Sequence, residues 1–437
     1  EYLGVLGVGA ATAKLTALTA AGNPMRLRHA AIDALGEIGR ARHLPAEPAA
    51  GDARTPAPIR ALLAVLREGP GELHASAATA LSYIASPAAL PALIALARSD
   101  RGPTRSEIVR AIGATLRSQP DPAARDVLRA LVDDASIKVS LAAIAGLAAA
   151  RSLDDAPLLR GLVEQAATDR RRAAAAALGE IHDPGSIDTL AAALSSKDDR
   201  LAGDAAWALG EIVAGVRPGA AGAAGAPATP DPRAGMIADR WLHLLQRGGW
   251  AGAINSAAGL ARLLWALPAP ARAELLTKPR RDALFARSFH KSRLVRINLA
   301  LAFAAIGDDD AIKQLAQLVK DDASPHVRAA AARGLQRIGA RGAAALKPAI
   351  DDADPTVRAA ARTAPPAPPP RVEWRTFYVV DPSAGDTRVR QEQYFVHTDD
   401  DLVWACYTDA RGEIATEHIP AGTSRDDISP ASREPEY

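Results

Sequence analysis

Apolar residues recur along most of the chain at helical spacing, in short blocks separated by polar turns. Ile187-Asp-Thr-Leu-Ala-Ala-Ala-Leu194 is one such block and predicts a short first helix. A turn rich in Asp or Ser follows, as in Ser195-Ser-Lys-Asp-Asp199, Asp321-Asp-Ala-Ser-Pro325 and Asp352-Ala-Asp-Pro355. Such side chains accept hydrogen bonds from the open N–H groups of the next helix, and proline fits its first turn. An alanine-rich second helix comes next. Together the blocks predict helical hairpins whose apolar faces are buried only by stacking.

The second helices are self-similar. Arg28-His-Ala-Ala-Ile-Asp-Ala-Leu-Gly-Glu-Ile-Gly39, Arg171-Arg-Ala-Ala-Ala-Ala-Ala-Leu-Gly-Glu-Ile181 and Arg328-Ala-Ala-Ala-Ala-Arg-Gly-Leu-Gln-Arg-Ile338 align without gaps. Weaker copies surround Leu81, Ile112, Leu147, Leu209, Leu260 and Phe303, and Leu147, Leu178 and Leu209 are evenly spaced. A fixed period of about 30 residues marks a stacked helical array. Glu1-Tyr-Leu-Gly-Val-Leu-Gly7 reads as the end of a second helix, which predicts a first repeat cut short.

These residues resemble HEAT repeats, in the short variety shared with the bilin-lyase (PBS lyase) HEAT-like family. Val327-Arg328 and Val295-Arg296 carry the Val-Arg-x-Ala-Ala-x-x-x-Leu pattern best. The resemblance implies an all-α solenoid over residues 1–363, with the second helices lining its concave surface. Scaffolds, adaptors and a few enzymes share this architecture, so fold alone does not select among them.

Three stretches break the period: Arg40–Thr55, the Gly/Ala/Pro-rich insertion at 215–233, and a basic stretch at 267–291. All three are expected to project from one edge of the array. Ala364-Pro-Pro-Ala-Pro-Pro-Pro370 predicts a stiff linker over 364–371. Beyond it the pattern turns from helical to alternating. Trp374–Val380, Arg388–His397, Leu402–Thr408 and Glu413–Ile419 read as strands of a small antiparallel β module over 372–420, and the tail 421–437 reads as disordered.

Composition agrees with thin helical layers, since the chain has only six Trp, six Tyr and five Phe in 437 residues. Cys406 is the only cysteine, so no disulfide framework or cysteine zinc site can form within the chain. That is compatible with a reducing, cytoplasmic setting. No apolar run is long enough to span a membrane. The formal net charge of +2 hides an asymmetry, because residues from Arg371 onward carry 14 acidic against 7 basic side chains. This permits intramolecular docking of the acidic segment near Arg333, Arg337, Arg341 and Arg358, with Asp399-Asp-Asp401 facing those arginines; the alternative is a separate binding unit carried on the rigid linker.

Candidate chemistry is sparse. Gly7-Val-Gly9-Ala-Ala-Thr-Ala-Lys14-Leu-Thr16 lacks the Gly before Lys that a phosphate loop needs, and it aligns with inter-hairpin turns. The nine histidines are isolated, and His397 with Asp399-Asp-Asp401 reads as an acidic hairpin turn. No catalytic residue, cofactor or metal is implied. Arg28, Arg171, Arg296, Arg328 and Arg358 recur at helix starts, where each can pair with an Asp of an adjacent turn such as Asp322 or Asp352. Acids interleaved with bases argue against nucleic acid as the partner.

The partner surface is read from positions two before and two after each anchor, which share a helix face. These include Tyr83, Arg110, Glu180, Trp207, Glu211, Arg262, Arg333 and Arg337, with Trp207, Glu180 and Glu211 at the centre. The sequence thus predicts a scaffold or adaptor that binds a protein or peptide segment. The alternative is an enzyme or enzyme subunit of the bilin-lyase or nucleic-acid-processing kind.

Overall fold

A computed structural model describes residues 11–40, 56–213 and 231–362, short strands beyond 376, and the side chains of Leu402–Ala405. The proline-rich linker, most of the two Pro/Gly-rich loops, and Asp399–Asp401 lie outside the described residues. The chain divides into two compact units, Glu1–Ala177 and Leu178–Tyr437.

In the first unit, helices pair as hairpins: α1 (Thr12–Leu18) with α2 (Met25–Arg40), α3 (Ala57–Glu68) with α4 (Gly71–Ile84), α5 (Leu90–Ser99) with α6 (Arg105–Leu116), and α7 (Pro122–Leu131) with α8 (Ile137–Ala150). Helices α9 (Ala156–Gln165) and α10 (Thr168–Ile181) follow, and the division between units falls inside α10. The second helices α2, α4, α6 and α8 stack in succession. Their anchors Leu35, Leu81, Ile112 and Leu147 are at most 1% exposed. Small residues set the close approach. A methyl group on Gly113 of α6 would stand 2.6 Å from the Gly146 Cα of α8, so Gly113→Ala should force the two helices apart.

The second unit repeats the plan with α11 (Ile187–Ala193) and α12 (Asp199–Val213), then α13 (Ala234–Arg247) and α14 (Trp250–Ala266). Residues 267–291 are partly helical. They hold α15 (Ala269–Leu275) and α16 (Lys278–Phe285), and Phe285 meets Phe303 of α17 (Arg293–Ile306) edge to face at 5.1 Å. Helix α16 therefore serves as a first helix. Its basic residues are engaged, Arg280 by Asp239 and Arg281 by Asp308 and Asp310. Helices α18 (Asp309–Asp321) and α19 (Pro325–Ile338) follow, then the short α20 (Ala340–Ala343) and α21 (Lys347–Ile350), and α22 (Pro355–Arg362). Helices α12, α14, α17, α19 and α22 stack in that order.

The recurring arginines are consumed by the fold. Arg28 donates to the Thr19 carbonyl, Arg105 to Ala97 and Arg171 to Val163, each closing the hairpin turn before its own helix. Some of these forks also reach the next turn, as Arg105 does to Asp134 at 2.6 Å. Arg296 holds Asp322 through two hydrogen bonds of 2.7 and 3.0 Å, and Arg328 holds Asp352 at the same two distances. The hydrogen bonds from Arg328 keep the Asp352 carboxyl below the ordinary carboxylate range. A depressed carboxylate contributes stability above its unfolded pKa of about 3.9, and that stability is lost as pH falls through the lower folded value. Acid unfolding of Asp352→Asn is therefore expected to have a shallower pH slope below about pH 4 than the natural chain. Identical slopes would show that this pair is not proton-linked.

Beyond residue 376 the backbone forms short antiparallel pairs, β1 (Phe377–Tyr378) with β6 (Glu413–Ile414) and β2 (Val380–Asp381) with β3 (Thr387–Arg388). The largest group is β4 (Gln393–His397) between β5 (Val403–Tyr407) and β7 (Ile428–Pro430). Ile428–Pro430 pairs with β4 in antiparallel register. Strand β5 is an edge of this sheet, and it packs on α14 and α17.

Candidate functional site

The site lies where β5 meets the second-helix face of the second unit. Asn298 of α17 is fully buried. Its side-chain carbonyl accepts from the Val403 N–H at 2.8 Å, and its amide donates to the Val403 carbonyl at 2.8 Å and the Ile254 carbonyl at 3.1 Å. Asn255 of α14 repeats the arrangement one helix earlier. It accepts from the Ala405 N–H at 2.8 Å and donates to the carbonyls of Ala405 at 3.2 Å and Gly203 at 3.0 Å. An edge strand presents unpaired N–H and C=O groups on its open side. Here two side-chain amides from neighbouring helices satisfy them as another strand would.

The amide pairs read backbone and are indifferent to side chain. Trp404, between the two bonded residues, supplies the side-chain contact and is 4% exposed. A methyl on Gly210 would stand 3.5 Å from its indole Cη2, an ordinary contact distance, so the ring lies against α12 at this residue. The Arg262 guanidinium lies 4.9 Å from the ring centroid. Arg262 also pairs with Glu211, which is fully buried, and His182 Nε2 approaches Glu211 at 3.7 Å. A buried carboxylate is tolerated only when paired, so Glu211 holds the guanidinium in place against the indole.

A family model for HEAT repeats matches residues 59–148, 156–226 and 281–364, more than half of the chain. The chain belongs to the HEAT-repeat family. A search of curated proteins returned no relative. Among solved structures, an engineered protein matches 80% of this chain and 97% of its own, at 23% identity and a TM-score of 0.43. A chain from a structure of Kap95p bound to RanGDP matches 82% of this HEAT chain, at 15% identity and a TM-score of 0.52. This chain spans half the length of that one. The likeness supports the nearly all-helical solenoid fold and no more.

The HEAT stacking places the sequence-predicted site residues unevenly. Glu211, Arg262 and Glu180 are buried, whereas the sequence reading turns them outward; Glu211 and Arg262 lie beneath Trp404. Trp207 is half-buried, with its Cζ3 2.8 Å from where a methyl on Gly179 would stand. Arg333 and Arg337 are half-buried, and Arg337 lies 5.9 Å from the ring of Trp265. Tyr83 and Arg110 are half-buried in the first unit. The acidic segment is expected near Arg333, Arg337, Arg341 and Arg358, and its turn Asp399-Asp-Asp401 lies outside the described residues. Its described contacts run to Asn255, Asn298 and Arg262. Arg341 is held by Gly307 and Asp309, and Arg358 by the carbonyls of Asp352 and Ala353. Backbone groups leaving water must find partners, and exposed ion pairs contribute little by comparison.

Asn255 and Asn298 are absent from the sequence reading, yet both stand five residues before an anchor, Leu260 and Phe303. Positions five before, two before and two after an anchor lie on one helical face. Asparagine is a poor residue for an alanine-rich helix interior, and its recurrence at one register was the available signal. Among the described residues no group of three His, Cys, Asp or Glu is placed to hold a metal ion. No described helix is long and apolar enough to cross a membrane.

Proposed function

We propose that the chain is a scaffold that binds protein segments in extended form along the second-helix face of its HEAT repeats. The observation that carries this reading is the pair of amide clamps at Asn255 and Asn298, which grip backbone at alternate residues. The protein partner in the Kap95p structure supports it in a general way. Trp207, Arg333 and Arg337, with Tyr83 and Arg110 in the first unit, are proposed to face partners, while Glu180, Glu211 and Arg262 shape the surface from below. We include in this proposal the short bilin-lyase-like variety of the repeat, on its even spacing, and a small β module over 372–420.

A photo-crosslinking residue placed at Trp207 or Arg337 should capture a protein from source-cell extract. The same probe at Lys313, which is 76% exposed on a first helix, serves as control. Equal capture at all three positions would contradict the reading.

A further inference from the structure

Resting on that reading, we propose that β5 is a built-in competitor, and that the groove takes in trans an extended segment with tryptophan between two non-proline residues. The occupant in the structure supplies the template. Val403 and Ala405 each use both backbone groups, so a proline at either place would remove a required N–H. Their side chains are small, and no hydrogen bond from the groove reads them. Trp404 alone is read by its side chain, through Arg262 beneath it and the surface of α12 at Gly210.

The spacing also favours a linear ligand. Passing from Asn298 back to Asn255 moves one repeat along the helices and two residues along the strand. Two strand residues span about 7 Å, slightly less than the 8–10 Å between packed helices. The alanine-rich contacts of α14 and α17 bring the helices within that reach.

Competition follows from tethering. The segment between Arg362 and Leu402 holds β5 near the groove at an effective concentration on the order of millimolar. A peptide in trans sees only the fraction of molecules whose groove is open, which weakens its apparent affinity by that fraction.

The test uses a fluorescein-labelled peptide of residues 399–409, titrated under reducing conditions into the full chain and into the full chain carrying Val403→Pro. Binding to the variant is expected at least tenfold tighter than to the natural chain. It should be lost when the peptide carries Trp404→Ala or when Asn298→Ala is added to the variant. A folded Val403→Pro chain that binds the peptide no better than the natural chain would overturn the proposal. Hydrogen exchange at Val403 and Ala405 of the natural chain, with excess unlabelled peptide, is read in addition, in case the variant fails to fold. Exchange must rise, and no rise overturns the proposal. Failure here with cross-linking still specific to positions 207 and 337 would remove the strand competitor and leave the scaffold. Failure of both would remove the scaffold as well.

Discussion

Asn298→Leu is expected to release β5 from the helices while leaving the helical array intact. Leucine has the same branched four-heavy-atom side chain as asparagine and is no smaller, so no cavity opens. The loss is polar. The Val403 N–H and carbonyl lie in a buried site and would have no partner there. Each stranded group costs about 1–3 kcal/mol. A total near 3 kcal/mol shifts the docked population roughly 100-fold. Trp404 would move from 4% exposure into water, giving red-shifted emission with unchanged far-ultraviolet ellipticity. Asn255→Leu should act in the same way, and the pair should be less than additive because both hold one strand. Loss of ellipticity in step with the emission shift would mean that the strand is integral to the helical core.

Arg262→Leu is expected to destabilise the second unit by about 3–5 kcal/mol, since it leaves Glu211 charged and fully buried. Glu211→Leu together with Arg262→Leu should recover most of that loss and fall within about 1 kcal/mol of the natural chain. Leucine at 262 keeps apolar contact with the indole and gives up only the cation–π part, about 0.5–2 kcal/mol. Urea unfolding followed by ellipticity measures both. Equal destabilisation of the single and double variants would assign Arg262 to packing on Trp404 and not to the ion pair.

The hairpins were legible because anchors such as Leu35, Leu178 and Leu335 must be apolar wherever second helices stack, and the period exposes them. The arginine ladder was legible for the same reason, with Arg296 to Asp322 and Arg328 to Asp352 repeating at nearly fixed separation. The site was only half legible. Glu211 and Arg262 were found by register, but their burial depends on Trp404, far away in sequence. Nothing local to α12 or α14 reports that a strand will lie across them. Charge asymmetry pointed to docking but not to the backbone contacts that hold β5. It counts charges that water screens and omits backbone groups that must be satisfied once buried. Extending the outward face one turn toward each helix start would have reached Asn255 and Asn298.

Hydrogen exchange resolved at single amides tests the central claim most directly. In the natural chain the Val403 and Ala405 amides should be protected to a degree similar to helix-interior amides such as Leu260. In a chain carrying Asn255→Ala and Asn298→Ala, exchange at 403 and 405 should rise about 100-fold or more, as loss of both clamps implies, while Leu209 and Leu260 stay protected. Val403 and Ala405 amides that exchange in the natural chain as fast as an unfolded peptide would contradict the account.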